Sequence, residues 1–139
     1  MAEPAFIVVR KRVEWADTDA SGWYHNTVVL HWVEQAENEL LDRLGILDEL
    51  TGRIPRAHID VDYLSILRFR DEVDVELAVR EVGDSSVTYR FEVRLAGELA
   101  AEGSFTMVLV SGGKPVPWSR EHRRLLTTAG PQSAGGPIA

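Results

Sequence analysis

The sequence predicts an α+β fold in which a mainly antiparallel sheet wraps around one long helix. Two observations carry this expectation. Apolar residues alternate with polar ones through most of the second half of the chain, as in half-buried strands, and one stretch of the first half repeats instead at helical spacing.

Taken in order, the elements read as follows. A first strand is expected from about Ile7 to Trp15. After Asn26, apolar residues recur at Val29, Leu30, Val33, Ala36, Leu40, Leu41 and Leu44, a helical stripe that stops at Gly45. Asn26 or Thr27 is placed to cap its first amides. Strands return with AHIDVDY, which puts Ala57, Ile59, Val61 and Tyr63 on one face. Val73, Val75, Leu77 and Val79 form the next, then Val87, Tyr89, Phe91, Val93 and Leu95, then SFTMVLV from Ser104 to Val110. The connections VGDSS and LAGE are short and carry glycine, as hairpins require. A short helix is expected from Trp118 to Leu126. Residues 1–126 therefore make one domain, and 127–139, rich in Gly, Pro and small residues, read as a disordered tail. A sheet with one apolar face and a helix with one apolar stripe must dry each other. The end strands would stay open, which predicts a homodimer or homotetramer built through a shared sheet.

Composition narrows the function. The 139 residues suffice for one core, with 45% hydrophobic and 27% charged residues. Fifteen Lys and Arg stand against twenty-two Asp and Glu, a net charge of −7 without a basic stripe, so neither nucleic acid nor an anionic membrane is an expected partner. The absence of Cys excludes disulfides, thiolate metal sites and cysteine nucleophiles, and a reducing cytoplasm is the simplest address. No apolar run approaches the roughly 18 residues of a membrane helix.

The stretch from Asp17 to Leu30, DTDASGWYHNTVVL, gathers two acids, a glycine, two aromatics and a His-Asn pair at the threshold of the helix. Amides at Asn26 and Thr27 point back toward the turn, where the macrodipole adds about half a positive charge and makes an oxyanion receptor. Asp19, held by the turn through Gly22, reaches the same point. A carboxylate beside amide donors is a minimal hydrolytic constellation, the amides polarising a carbonyl while the acid attacks it or activates water. Asp17 reads as a turn former. Asp17, Asp19 and His25 hold oxygen and imidazole donors, but without a second cluster no metal is expected. His25 could orient water or a carbonyl, or be a capped or solvated residue beside the helix start. Trp23, Tyr24 and Tyr63 are placed to line a pocket mouth, while Trp15 and Trp32 read as core. Glu34 lies at the edge of the apolar stripe, placed to bond the active-site loop or a polar acyl group, or to reach solvent. Arg68 and Arg70 could meet phosphates or act as edge charges.

The stretch DTDASGWYHNTVVLHWVEQAENELLDRLGI resembles the signature of the hotdog-fold acyl-CoA thioesterases of the 4-hydroxybenzoyl-CoA thioesterase-like group, in which Asp-x-Asp-x-x-Gly precedes the central helix. The likeness continues through VDYLSILRFRDEVDVE to GKPVPWSREHRRLL, about residues 6 to 126. It implies an acyl-CoA or acyl-carrier-protein thioester as substrate, Asp19 as the catalytic carboxylate acting as nucleophile or general base, a backbone amide near Asn26 for the carbonyl, a pantetheine arm entering along a dimer interface, and no cofactor. There are departures. WYHN stands in the turn, Ile66 replaces the proline of Tyr-x-x-Pro, and Glu37 replaces a common Arg. Two other readings keep the fold: dehydration of a hydroxyacyl thioester, with His25 and Asp19 sharing the proton transfer, and a non-catalytic acyl-thioester binding module.

Overall fold

Alternation in the second half builds a sheet, and the helical stripe lies across it. The structure, a computed structural model, describes residues 2–133. In chain order the elements are β1 (Glu3–Arg12), a single 3-10 turn (Trp15–Asp17), α1 (Val28–Arg43), α2 (Leu47–Leu50), β2 (Arg56–Tyr63), β3 (Glu72–Val82), β4 (Ser86–Leu95), β5 (Glu98–Val108), the two-residue strands β6 (Val110–Ser111) and β7 (Lys114–Pro115), α3 (Arg120–Thr128) and β8 (Ala129–Ser133). Six strands form one sheet in the order β2-β5-β4-β3-β1-β8, and every pair is antiparallel except β1 with β8. The first strand begins and ends earlier than its apolar run suggests, because the residues from Val13 onward turn toward Arg70 and Asp71.

Inward positions of the central strands are the alternating ones. Val75, Leu77, Phe91, Val93 and Phe105 are fully buried. Tyr89 stacks on Phe105 across β4 and β5 with ring centroids 4.8 Å apart. Such cross-strand pairs stabilise a sheet by about 0.2–1 kcal/mol each. β2 departs from this pattern, since Ile59 and Val61 are half-buried and Tyr63 is exposed. It is an edge strand, and α1 packs closest on β1 and β3.

The helix buries Val28, Val29, Trp32, Val33, Ala36, Leu40 and Leu41. It ends at Gly45, whose φ of 78° lies in the left-handed region. The Gly45 amide reaches the Asp42 carbonyl and the Ile46 amide the Leu41 carbonyl, both at 3.0 Å, which is a Schellman stop. Neither proposed N-cap acts as one. Thr27 holds the N-cap position, but its side chain takes no backbone amide there.

The tail corrects the expectation of disorder from residue 127. Ser119 caps α3, which runs two residues past Leu126, and Ala129–Ser133 then pair with β1 as β8. The physical reason is that a ladder consumes backbone groups, which Ala, Gly, Gln and Ser supply without apolar side chains. Buried Leu126 and the hydrogen bonds from Arg123 to the Val82 and Gly83 carbonyls anchor the segment. Residues 134–139 of the expected tail lie outside the described residues. Among the described residues no helix is long and apolar enough to cross a membrane.

Two glycines should respond differently to alanine. At Gly45 a Cβ would meet nothing within 4 Å, so Gly45→Ala should cost only the left-handed conformation, about 1 kcal/mol. At Gly103 a Cβ would stand 2.0 Å from the Asp60 carbonyl oxygen, so Gly103→Ala should cost more and displace β2. Urea denaturation of the two variants checks the order.

Candidate active site

The loop between β1 and α1 is held by its own polar groups. Asp17 closes the 3-10 turn, its Oδ2 accepting from the Glu14 amide at 2.8 Å, and its carbonyl accepts from the His25 amide at 2.6 Å. The two ends of the loop are thereby tied together. Within it a tight turn joins Asp19 to Trp23, with the Asp19 amide donating to the Trp23 carbonyl at 3.1 Å and Gly22 at φ 84°. Leu67 takes the Tyr24 amide at 2.8 Å, which fixes the loop against the segment after β2.

Asp19 points out of this turn, exposed. Its Oδ1 accepts from the Ser21 hydroxyl and, at 2.8 Å, from the Ser21 amide. The hydroxyl, then the amide, and lastly the nearby His25 hold the Asp19 carboxyl below its ordinary value of 3.8, so it is ionised at neutral pH. Both Ser21 bonds fall on Oδ1, which leaves Oδ2 for substrate or water.

His25 is spent largely on the helix start. Its Nδ1 accepts from the Thr27 amide at 3.1 Å and pairs with the Thr27 hydroxyl at 2.8 Å, doing the work expected of an N-cap side chain. Of the two amides expected to receive an oxyanion, the Thr27 amide is therefore taken. The Asn26 amide has no carbonyl partner among the described residues, while the Asn26 carbonyl accepts from the Tyr63 hydroxyl.

A groove of about 330 Å³ opens beside that amide, lined by Trp23, Tyr24, Asn26, Tyr63, Leu64 and Ile66. Four residues singled out in the sequence thus converge here. Tyr24 is buried, stacked on Trp32 and edge-on to Tyr63, each at 6.2 Å between centroids. Burial, with Tyr63 adding, pushes the Tyr24 hydroxyl up to about 12, so it stays neutral. Trp23, at 46% exposure, forms the lip. Arg68 adjoins the groove through a bridge to Trp23, its amide held by Asp71 at 2.8 Å. Glu34 does not join this groove; it faces solvent and pairs with Arg56 at 3.4 Å.

A model of the Thioesterase-like superfamily matches residues 13–126. The chain belongs to that superfamily. A 1,4-dihydroxy-2-naphthoyl-CoA hydrolase of Synechococcus sp. (strain CC9605) is 25% identical over 120 residues, 79% of this chain and 80% of the relative. A thioesterase of Thermus thermophilus, solved with coenzyme A and Zn, has a TM-score of 0.77 at 32% identity and covers 85% of this chain and 90% of its own. A protein of Aquifex aeolicus has a TM-score of 0.81 at 23% identity, over 86% of this chain and 98% of that one. The fold is the hotdog fold and the class is thioester hydrolase. Among the described residues no three His, Asp or Glu side chains are placed to share a metal ion.

One residue of this hydrolase was noted in the sequence only as a departure from a common Arg, its burial unforeseen. Glu37, rather than Glu34, is the buried acid of α1, at 2% exposure. The signal was present, because Glu37 lies four residues after Val33 and four before Leu41, within the stripe. Burial pushes its carboxyl up to about 7, against the opposing pull of the Tyr89 hydroxyl and Arg56, while Glu34 adds to the rise.

The folded-state value lies above the ordinary 4.5, so the folded state holds the proton more tightly than the unfolded chain. The resulting stability is complete below about pH 4.5 and is lost as pH rises to about 7, with up to about 3 kcal/mol at stake. Glu37→Gln should abolish this loss, so its stability relative to wild type should grow across that window. Denaturant titrations of both proteins across the same window check it.

Proposed function

We propose that the chain hydrolyses an acyl-CoA thioester, with Asp19 as general base and the Asn26 amide as oxyanion donor. Two observations support this reading: an exposed carboxylate fixed through one oxygen and, seven residues further on, a helix-start amide that no carbonyl of the described residues takes up. In the forward step Asp19 takes a proton from water and the hydroxide adds to the thioester carbonyl carbon. The Asn26 amide stabilises the oxyanion, the C–S bond breaks, and the departing thiolate takes the proton from Asp19. Products are free acid and thiol. A thioester is already activated, so the reaction asks for no metal or redox cofactor.

The relatives named as CoA hydrolases support the CoA thioester as substrate. Trp23, Tyr24 and Tyr63 would receive the acyl group at the groove mouth, and Arg68, beside the lip, is placed for the phosphates of CoA. His25 contributes by holding the turn, and with Nδ1 committed to Thr27 it is poorly placed to share proton transfer in a dehydration. β2 ends the sheet with one side open, and pairing of two β2 edges would make a homodimer.

The test is thiol release, followed with a colorimetric thiol reagent, from short, long and aromatic acyl-CoAs; the cysteine-free chain gives no background. The wild type should turn over at least one. Asp19→Asn should lose about 10²-fold or more in kcat while melting temperature and light-scattering mass persist. Thiol release from none, or equal turnover by Asp19→Asn, would overturn the assignment.

A further inference from the structure

Two hydrogen-bonded bridges join strand β2 to helix α1 and to the turn before it. Near the helix start the Tyr63 hydroxyl meets the Asn26 carbonyl, and further along Arg56 Nη2 meets Glu34 Oε2 at 3.4 Å. The helix itself packs closest on β1 and β3, so between the bridges Leu30, Ile59 and Val61 are only half-buried. At the second bridge a groove of about 350 Å³ opens, with Leu47, Ile54 and Met107 as its apolar walls and Glu37 among its lining.

Glu37 is out of place in such a setting unless something meets it. Its Oε2 is buried without a hydrogen-bond partner among the described residues, a condition that costs about 1–3 kcal/mol. Arg56 does not relieve it, since that guanidinium pairs with Glu34 and lies over the Phe105 ring, 5.6 Å from its centroid. The remaining neighbour, the Tyr89 hydroxyl, is itself buried without a partner of good geometry.

We propose that this groove takes the far end of the acyl group and that Glu37 selects acyl groups carrying a hydroxyl there. The inference rests on the thioesterase reading of the Asp19 loop. Eleven residues separate Asn26 from Glu37. At a helical rise of about 1.5 Å per residue that is about 16 Å along the axis. The substrate class is therefore a medium-chain hydroxyacyl thioester, whose methylenes cover Leu30, Ile59 and Val61 and whose terminal hydroxyl bonds Glu37. With its carboxyl raised to about 7, Glu37 is present both as acid and as carboxylate near neutrality and can either donate to that hydroxyl or accept from it.

The experiment compares kcat/KM for dodecanoyl-CoA and ω-hydroxydodecanoyl-CoA in wild type, Glu37→Leu and Glu37→Gln, with the butanoyl pair as a control too short to reach. Wild type should favour the hydroxylated dodecanoyl substrate about tenfold, mainly through KM, and show no preference within the butanoyl pair. Glu37→Leu should reverse the dodecanoyl preference and Glu37→Gln should keep most of it. An unchanged ratio in a folded Glu37→Leu protein would overturn the proposal. Should wild type release thiol from none of these thioesters, the thioesterase reading is decided by the wider series that includes aromatic acyl-CoAs, and the Glu37 inference is decided by calorimetric binding of free dodecanoic and ω-hydroxydodecanoic acids. A wild-type preference for the hydroxy acid that Glu37→Leu loses sustains it; equal binding or none refutes it.

Discussion

A single helix about 10–12 Å across covers two or three strands spaced about 4.8 Å apart, and here it faces a sheet of six. That mismatch of widths organises the molecule. α1 settles on β1 and β3, where Val9, Val75 and Leu77 are fully buried, and α3 closes beside it on the same two strands. Among the described residues no element covers β2 completely. Its Ile59 and Val61 stay half-buried, Tyr63 and Arg56 span the remaining gap to the helix, and its outer edge ends the sheet. The aromatic groove beside Asn26 and the groove beside Glu37 sit at the two ends of that gap, so both candidate binding surfaces follow from the same shortfall in coverage.

The crowding of polar residues before α1 has a similarly direct cause. A helix start leaves four amides without helical partners, and a loop that must also pack against the segment after β2 has backbone groups of its own to satisfy. Asp17 and His25 take up that task, one for the 3-10 turn and one for the first helical turn. Because a ring nitrogen from two residues upstream serves Thr27, the Asn26 amide is left over, and because Ser21 engages one oxygen of Asp19, the other is left over too. The proposed hydrolytic constellation consists of what remains, among the described residues, after the turn has satisfied itself.

Much of this was legible beforehand. Alternation at Val73 to Val79 and at Val87 to Val93 marks strands whose inward residues are buried as expected, and Gly45 marks the helix end to the residue. Local chemistry of that kind is written at fixed spacing. Pairings made by backbone alone are not. β8 uses Ala129 to Ser133, a stretch with turn composition, because a ladder beside β1 asks only for amides and carbonyls. β5 likewise begins at Glu98, before its apolar alternation starts, since the two-residue turn at Ala96 and Gly97, both at positive φ, sets the register with β4.

The exchange of Glu34 for Glu37 shows where periodicity loses resolution. Apolar residues at 29, 30, 33, 36, 40, 41 and 44 define a stripe whose centre can be drawn through Leu30 or through Val33 and Leu41, and the choice rotates the helix by a fraction of a turn. Trp32 decides it, because stacking on Tyr24 brings position 32 inward and carries Leu30 and Glu34 outward. Position 37 then falls inside the stripe and faces Tyr89 of β4. Spacing admits a buried residue there, while the carboxylate itself argues against burial, so the two signals oppose each other. Its position follows from the contact between Tyr24 and Trp32, and the cost of holding in the core an acid whose Oε2 lacks a well-formed hydrogen bond is what singles it out.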